Sequence, residues 1–345
     1  MPPKISILLP TYNGASFLRQ QIQSIQSQTE RSWELLICDD GSRDHTPAII
    51  EEFACTDSRI RILPSIGNKS QKRRLIELLA SSSSDLIAVS DQDDIWAPDK
   101  LSLLTEAIVN YDLAFGSSRL INEDGNQLGY TLLDSLMPLP KQNDRLIYLF
   151  KPTVSGHAML VRRNMITDMS LRRGAHFDWL VSLDCAFRAG TVYVKSAVTD
   201  HRMHALNQNN GFARHGHSVE QHLSKKSVKK YLFGITEDRL NFLAACEHLS
   251  DSMVVSREVS SSFYQAQKLI RRAWYKGNRP RMNYASLYVE LEKLIAPFAG
   301  SDHDLAYARH ALKMLTMSPF LPARLAVFAR PNHGHGAATN LVVRS

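Results

Sequence analysis

The first two thirds of this 345-residue chain predict an α/β domain built on a mostly parallel sheet, and the last third predicts helices alone. Short apolar runs alternate with helical patterns up to about residue 215, as expected for strands joined by crossover helices. The run Leu86–Val89 is apolar throughout, which suits a strand covered on both faces. We expect an α/β domain over residues 1–216, a smaller helical domain over 217–332 and a flexible tail over 333–345.

The predicted elements follow one another in strand–helix order. The first helix has the clearest pattern, since Leu18, Ile22 and Ile25 recur at helical spacing and share one face. The predicted strands cover residues 5–9, 35–38, 60–63, 86–89, 113–115 and 158–161. The predicted helices cover residues 17–25, 49–53, 75–79, 101–109, 179–188, 228–235, 263–274, 284–294 and 305–315.

Composition narrows the class of protein. Hydrophobic residues make up 44% of the chain and charged residues 22%, as in a soluble globular protein, and no apolar run is long enough to span a bilayer. No signal-peptide pattern precedes the first strand, so we expect a cytoplasmic protein. The four cysteines lack CxxC spacing, which favours buried thiols over a zinc site or disulfides.

Positive charge is concentrated in the last third. Residues 1–215 hold 23 Lys+Arg against 24 Asp+Glu, whereas residues 216–345 hold 18 against 10, so the net charge of +7 arises from the C-terminal region. Such a region suits nucleic acid, anionic lipid or a phosphate-bearing acceptor, and charge alone does not rank these partners.

Polar and acidic residues follow three predicted strands, at residues 10–14, 39–42 and 91–94. Ligands of open α/β sheets bind outside the carboxyl ends of the strands, so we expect these residues to meet in one crevice. Crowded carboxylates repel one another unless a cation neutralises them, and oxygen ligands select Mg²⁺ or Mn²⁺. Because substrate phosphates usually complete the Mg²⁺ shell, a phosphorylated substrate is implied. For residues 39–42 alone, a turn that caps a helix is the structural alternative.

Three motifs, LLPTYNG (8–14), DDGSRDHT (39–46) and SDQDDIWAPDKL (90–101), closely resemble the family 2 glycosyltransferases, which are inverting enzymes of the GT-A (Rossmann-like) fold. The resemblance spans about residues 4–215 and keeps the order and spacing of the family motifs. It implies transfer of a sugar from a nucleoside diphosphate donor to an acceptor hydroxyl, with Mg²⁺ or Mn²⁺ on the diphosphate.

On the donor side, the resemblance implies that Tyr12 flanks the nucleobase and that Thr11 contacts it. Asp40 would accept a hydrogen bond from the base, and Asp93 would hold the ribose. Lys72 and Arg73, in the basic run KRR, would contact the nucleotide. A solvated helix face explains this run equally well.

At the metal, the resemblance implies that Asp94 and His204 are ligands, with Asp91 and His201 as alternates. The segment HRMHALNQNNG (201–211) departs from the family pattern, because His201 replaces the usual aromatic residue. Arg202 in the same segment would neutralise the leaving diphosphate.

On the acceptor side, the segments SGHAMLVRR (155–163) and HFDW (176–179) resemble further family motifs. Asp178 would be the general base that deprotonates the acceptor hydroxyl, and one such carboxylate suffices for inversion by single displacement. The alternative for Asp178 is an acidic residue favoured by the helix dipole. Gly156, His157 and Trp179 would line the acceptor side.

The implied biology is bacterial surface polysaccharide synthesis: lipopolysaccharide O-antigen, capsule or exopolysaccharide. The SDQDDIW form favours a rhamnosyltransferase-like enzyme, so dTDP-rhamnose or a UDP-hexose is the expected donor and a polyprenyl-diphosphate-linked glycan the expected acceptor. Competing hypotheses are a nucleotidyltransferase and an inactive module that binds sugar nucleotides or lipid head groups. Gly14 and Gly41 form neither GxGxxG nor a P-loop, which argues against a dinucleotide fold.

The basic C-terminal region is expected at the inner face of the plasma membrane rather than on nucleic acid. KKSVKK (225–230) is cationic and FLPARLAVFAR (320–330) is amphipathic, as in peripheral attachment to anionic lipid. The alternative is a helical subdomain that packs on the first domain or forms a homodimer.

Overall fold

A mixed sheet of nine strands organises the protein, as seen in a computed structural model. The structure describes residues 4–64, 71–132, 144–150, 153–167, 177–204, 242–252, 254–274 and 284–317. The strand order is β3-β2-β1-β4-β8-β6-β9-β5, with β7 paired to β6. The strands are β1 Ile5–Thr11, β2 Trp33–Asp39, β3 Ile60–Ile62, β4 Leu86–Val89, β5 Ile95–Trp96, β6 Leu113–Ile121, β7 Gln127–Thr131, β8 Met159–Arg162 and β9 Thr191–Arg202.

Helices cover the sheet and continue beyond it. They are α1 Ala15–Gln26, α2 Thr46–Thr56, α3 Gln71–Ser81, α4 Lys100–Ala107, α5 Phe177–Ala186, α6 at residues 242–251, α7 Arg257–Trp274, α8 Tyr284–Ile295 and α9 Asp302–Met317. The α/β class predicted from the sequence is therefore confirmed. The predicted helix at 228–235 and both cationic or amphipathic C-terminal segments lie outside the described residues.

The first four strands of the chain form the parallel half of the sheet. β1 lies between β2 and β4, and all three run parallel. Alternate residues of β1 enter opposite cores: Ile5, Ile7 and Leu9 belong to one cluster and Leu8 to the other. Burial on both faces explains why these strands read as continuous apolar runs. Their carboxyl ends, which carry the polar motifs, open at one edge of the sheet.

The second half of the sheet was only partly expected. β8 runs antiparallel to β4 and β6, and β9 is twelve residues long with register shifts against β6. The sequence predictions missed β5, β7 and β9, because these strands are short, exposed or polar. β9 delivers the late histidines to the edge where β4 ends.

The C-terminal helices pack on the sheet domain through one continuous hydrophobic cluster. That cluster joins strand residues such as Phe115 to Phe242, Phe263 and Leu291 of the helices. Phe150 and Phe242 stack with ring centroids 5.0 Å apart. The proposed division at residue 216 stays a prediction, while the apolar contact across it is extensive. No helix in the described ranges is long and apolar enough to cross a membrane.

Candidate functional site

The loop after β1 is held open by hydrogen bonds from its neighbours. Gln92 clamps the backbone of Tyr12, accepting from its N at 2.8 Å and donating to its O at 3.0 Å. Asn13 adopts a left-handed φ of 47°, and a Cβ at Gly14 would lie 2.4 Å from Gln92 Oε1. This clamp leaves the Tyr12 ring 46% exposed above the sheet edge, where a flat ligand has access to it.

The two acids after β2 have different partners. Asp39 accepts hydrogen bonds from Thr11 Oγ1 at 2.9 Å and from Ser42 Oγ at 2.6 Å, which orders the loop. Asp40 is paired with Arg74, whose Nε donates to Oδ1 at 2.7 Å. Arg74 is fully buried and also donates to Glu77 at 2.8 Å. The Asp40 carboxylate is therefore fixed beside the Tyr12 loop by a buried guanidinium.

The acids after β4 meet two histidines from distant segments. His201 Nδ1 lies 2.8 Å from Asp94 Oδ1, and His157 Nδ1 lies 3.8 Å from Asp94 Oδ2. One ligand atom from each of these three residues falls within 4.8 Å of the others. The two imidazole rings stack with centroids 4.6 Å apart and planes within 3°. One carboxylate and two imidazoles thus converge on one point.

The Asp94 carboxylate makes this cluster a candidate cation site. Asp94 is fully buried, and its Oδ2 has no hydrogen-bond partner among the described residues. A buried, unpaired carboxylate oxygen is costly unless a cation or a hydrogen bond compensates it. The oxygen and nitrogen donors present suit a divalent ion such as Mn²⁺. The residues of this cluster therefore fit a divalent metal.

Electrostatic coupling within the cluster is strong. Burial raises the pKa of Asp94, but the neighbouring His201 and His157 outweigh it and lower that pKa to about 2. Burial lowers the pKa of His201, but Asp94 and the other two acids outweigh it and raise that pKa to about 9. Burial, together with Asp94 and Asp91, raises the pKa of Asp93. The charge of the neighbouring imidazoles thus stabilises the Asp94 carboxylate, whereas burial and the other two acids disfavour the charged form of Asp93.

Residues behind the cluster orient it. Ser118 Oγ lies 2.9 Å from His157 Nε2, which turns the other ring nitrogen toward the acids. The buried Lys100 donates to the backbone oxygen of His157 at 2.5 Å and to Thr199 Oγ1 at 3.2 Å. Outer partners of this kind fix the orientation of metal-binding imidazoles.

Two residues assigned from the late motif take other positions. His204 Nε2 lies 2.8 Å from Asp93 Oδ2, not beside Asp94, and its ring packs against Phe17 at 4.9 Å. Arg202 is 1% exposed and donates to the backbone oxygens of Asp93 at 3.0 Å and of Glu123 at 2.6 Å. Arg202 therefore holds the acidic loop in place, and its assignment to the leaving diphosphate stays a prediction.

The acceptor-side segments form a second small constellation. Asp178, in the first turn of α5, accepts from Gly156 N at 3.0 Å and from Trp179 N at 2.9 Å. A Cβ at Gly156 would lie 3.1 Å from the Phe177 ring, so the close approach depends on glycine. Trp179 is buried and donates from Nε1 to Tyr148 O at 2.6 Å.

The structure brings most of the expected residues to one edge of the sheet. His157, assigned to the acceptor side, and His201, assigned as an alternate, are the two that join Asp94. Arg73 is half exposed and lies 3.7 Å from Glu77, while the side chain of Lys72 lies outside the described residues. Sequence reasoning overlooked Arg74. Its position four residues before the buried Leu78, on the apolar face of α3, could have indicated that Arg74 is buried.

Comparisons with known proteins place this architecture. Residues 6–169 match the family model described as glycosyl transferase family 2. An Escherichia coli relative, UDP-Glc:alpha-D-GlcNAc-diphosphoundecaprenol beta-1,3-glucosyltransferase WfgD, is 34% identical over 122 residues, which are 35% of this chain and 47% of the relative. The dTDP-rhamnosyl transferase RfbG of Shigella flexneri is 36% identical over 118 residues, 33% of this chain and 41% of the relative. The chain thus spans less than half of the length of these curated relatives.

Solved structures extend the likeness to the whole fold. TarS 1-349 of S. aureus, in complex with UDP, is 12% identical with a TM-score of 0.50, covering 91% of this chain and 89% of that chain. The mannosyltransferase PcManGT from Pyrobaculum calidifontis, in complex with GDP-Man and Mn²⁺, is 14% identical with a TM-score of 0.50, covering 96% and 89%. At these identities the likeness concerns the fold alone. The strand-end motifs, the GT-A fold and the family match agree, and over residues 6–169 this chain is similar to glycosyl transferase family 2.

Proposed function

We propose that the protein is an inverting glycosyltransferase that moves a sugar from a nucleoside diphosphate donor to a glycan hydroxyl in surface polysaccharide synthesis. One observation carries the proposal: the buried Asp94 Oδ2, which has no hydrogen-bond partner among the described residues, lies with two imidazoles at the same sheet edge as the exposed Tyr12. A cation site beside an aromatic surface suits a nucleotide whose phosphates reach the cation.

The metal would be held by Asp94, His157 and His201. A divalent cation there would offset the charge that develops on a diphosphate leaving group. Two nitrogen donors and one carboxylate favour Mn²⁺ over Mg²⁺, since Mg²⁺ prefers oxygen ligands alone. His204 and Asp91 lie close by, and Asp91 Oδ2 is 3.4 Å from His157 Nδ1, so Asp91 is the next candidate ligand.

The nucleobase would lie against Tyr12, with Asp40 as its hydrogen-bond acceptor. The ion pair with Arg74 fixes the direction of the Asp40 carboxylate and keeps one of its oxygens engaged. A base that offers a ring N–H donor, as uracil and thymine do, matches such an acceptor. Asp93 stays the candidate for the ribose.

Asp178 would act as the general base. Its two backbone N–H partners hold the carboxylate in one orientation, as a positioned base requires. A single carboxylate that takes the acceptor proton during attack at the anomeric carbon gives inversion in one displacement. Gly156 lies directly beside Asp178, and we expect the acceptor to approach from this side.

Donor and acceptor are proposed from the relatives. WfgD is named for a UDP-Glc donor and a diphosphoundecaprenol-linked acceptor, and RfbG for a dTDP-rhamnosyl donor. We therefore propose a dTDP- or UDP-linked donor and a lipid-diphosphate-linked glycan acceptor for this chain. Attachment to the inner face of the membrane through the basic C-terminal region stays a prediction.

A matched pair of variants tests this function. Asp178→Asn should reduce sugar transfer by at least about 100-fold, while Mn²⁺-dependent protection by UDP or dTDP against thermal unfolding stays at the wild-type level. Asp94→Asn should remove the Mn²⁺ dependence of that protection. Calorimetry measures the protection against unfolding, and transfer assays with a panel of donors measure the activity.

The outcomes separate the competing functions. Transfer that survives Asp178→Asn contradicts the base assignment. Nucleotide binding by the wild type without transfer to any acceptor favours the binding module, and release of pyrophosphate from a nucleoside triphosphate favours the nucleotidyltransferase.

A further inference from the structure

A buried aspartate in the last described helix holds a segment of the sheet domain. Asp304 of α9 is fully buried, and its carboxylate accepts hydrogen bonds from the backbone N of Arg145 at 2.7 Å, Leu146 at 2.9 Å and Ile147 at 2.9 Å. Gly300 N donates to the same carboxylate at 3.1 Å. Both carboxylate oxygens are used, so the turn at 145–149 is fixed to the N-terminal end of α9.

Neighbouring contacts strengthen this junction. Ser301 Oγ donates to the buried Asp144 at 2.6 Å, and His303 Nδ1 lies 3.0 Å from the same carboxylate. Asp304 N donates in turn to Ser301 Oγ at 3.0 Å, as an N-cap serine and the third helical residue often pair. The first turn of α9 and residues 144–147 therefore form one polar junction.

The turn fixed by Asp304 leads directly to the proposed base. Tyr148 lies within the turn, and its backbone oxygen accepts from Trp179 Nε1 at 2.6 Å. Trp179 follows Asp178 in the chain, and its backbone N donates to Asp178 Oδ1 at 2.9 Å. Each step is a hydrogen bond or a short covalent connection, so a shift of the turn displaces the Trp179 indole and the first turn of α5.

The other half of α5 is held by the C-terminal region as well. Asp184 accepts from Ser252 Oγ at 2.7 Å and lies 2.9 Å from His248 Nε2. All three residues are buried. The helix that carries Asp178 is thus held directly by the C-terminal region near its end, through Asp184, and indirectly near its start, through the turn at 145–149.

We propose that Asp304 is a positioning residue for Asp178, so that the C-terminal helices set the geometry of the acceptor side. The inference rests on the proposed function, in which Asp178 is the base. Asp304 is fully buried and would act through the turn and Trp179. Within the described part of the chain, the hydrogen bonds of Asp304 go to residues 145–147, 300 and 301 and not to β1, β2 or α3, which build the donor side. We therefore expect the donor side to be independent of Asp304.

The test uses the full chain with two single variants and their combination. Asp304→Asn replaces one acceptor oxygen with an amide group that cannot accept from the backbone N–H donors. Trp179→Phe keeps an aromatic ring but removes the donor to Tyr148 O. Asp302→Asn is the matched control, since Asp302 begins the same helix and is exposed.

Asp304→Asn should lower the kcat of transfer by roughly 10- to 100-fold, as expected for a misplaced catalytic group. The donor KM and the stoichiometry of Mn²⁺-dependent UDP or dTDP binding should stay at wild-type values, which excludes loss of folded protein as the cause. Trp179→Phe should act in the same direction. The kcat of the double variant should be no lower than that of the less active single variant, because both substitutions break the same chain of contacts.

Four results would overturn the inference. If Asp304→Asn keeps the wild-type kcat while Asp178→Asn is inactive, the inference is wrong but the proposed function still stands. A loss in Asp304→Asn that Asp302→Asn shares, or effects of Asp304→Asn and Trp179→Phe that multiply, would make the role merely structural. Transfer that survives Asp178→Asn would remove the proposed base and the inference together.

Discussion

Lys100 is the residue whose environment most needs an explanation. It is fully buried, and its ammonium nitrogen lies 3.5 Å from the centroid of the Trp96 ring. Burial lowers the pKa of Lys100 well below its usual value, although Asp94 and Asp91 oppose the shift. A buried lysine without a direct acid partner is costly and is retained only where its hydrogen bonds matter. Here those bonds fix the backbone of His157.

Lys100→Met should weaken Mn²⁺ binding by about 10-fold, because the His157 carbonyl loses its donor and outer partners of a ligand affect metal affinity by such amounts. Titration of the full chain with Mn²⁺ in the absence of nucleotide measures this. Lys195→Met is the control, since Lys195 is an exposed residue of the same β9 that carries Thr199. Equal Mn²⁺ affinity in both variants would contradict the role.

At the scale of the elements, the turn between α2 and β3 holds an ion pair whose contribution to stability can be measured separately. Asp57 accepts from Arg59 Nη2 at 2.7 Å and from Gln26 Nε2 of α1 at 3.1 Å. The hydrogen bond from Arg59 is the largest cause that lowers the pKa of Asp57, from 3.8 to about 2. Arg59 also lies over the Trp33 ring at 3.7 Å. The carboxylate thus joins two helices and the edge of the sheet.

Asp57→Asn should lower the free energy of unfolding at pH 7 by about 1–2 kcal/mol after allowance for solvent screening. Because the folded-state pKa is depressed, this stability is present above pH 3.8 and is lost as the pH falls toward 2. The difference in urea midpoint between wild type and variant should therefore shrink between pH 7 and pH 3. The exposed Asp124→Asn is the control, and a difference that is equal at both pH values would refute the assignment.

The elements also show what sequence patterns convey. Strands buried on both faces, such as β1 and β4, were predicted because burial makes them apolar throughout. β9 escaped prediction, since half-buried faces allow Thr, Lys and Asp, and its register shifts break any alternation. The acids after β2 and β4 were found by the strand-end rule. The partners of Asp94 were harder to predict from the sequence, because the choice among His157, His201 and His204 depends on the path of β8 and β9.

At the scale of the whole molecule, the sheet domain and the C-terminal helices share one core. Phe242 is fully buried and stacks on Phe150, while Phe187 meets Phe263 edge-on at 5.3 Å. Two regions that the sequence separates by charge are therefore joined by apolar packing. Because the two regions share this core, we expect them to unfold together.

Phe242→Ala should lower the free energy of unfolding by about 3–5 kcal/mol, because it removes a buried ring and leaves a cavity. Calorimetry should give a single transition that moves to lower temperature as a whole, and UDP or dTDP should raise it. Tyr264→Ala in α7 is the control, since that ring is 48% exposed. Two transitions, of which Phe242→Ala moves only one, would contradict a shared core.

The separation of Asp94 from His201 along the chain has a consequence for biosynthesis. The two residues stand 107 positions apart, whereas Tyr12, Asp40 and Arg74 all precede Asp94. A ribosome therefore completes the proposed nucleobase side long before β9 brings the last imidazole to the acids. During that interval the nascent chain carries three crowded carboxylates, and the proposed three-residue metal site is complete only when residue 201 has emerged. Binding of a metal there would therefore stabilise the fold at its final stage rather than at its start.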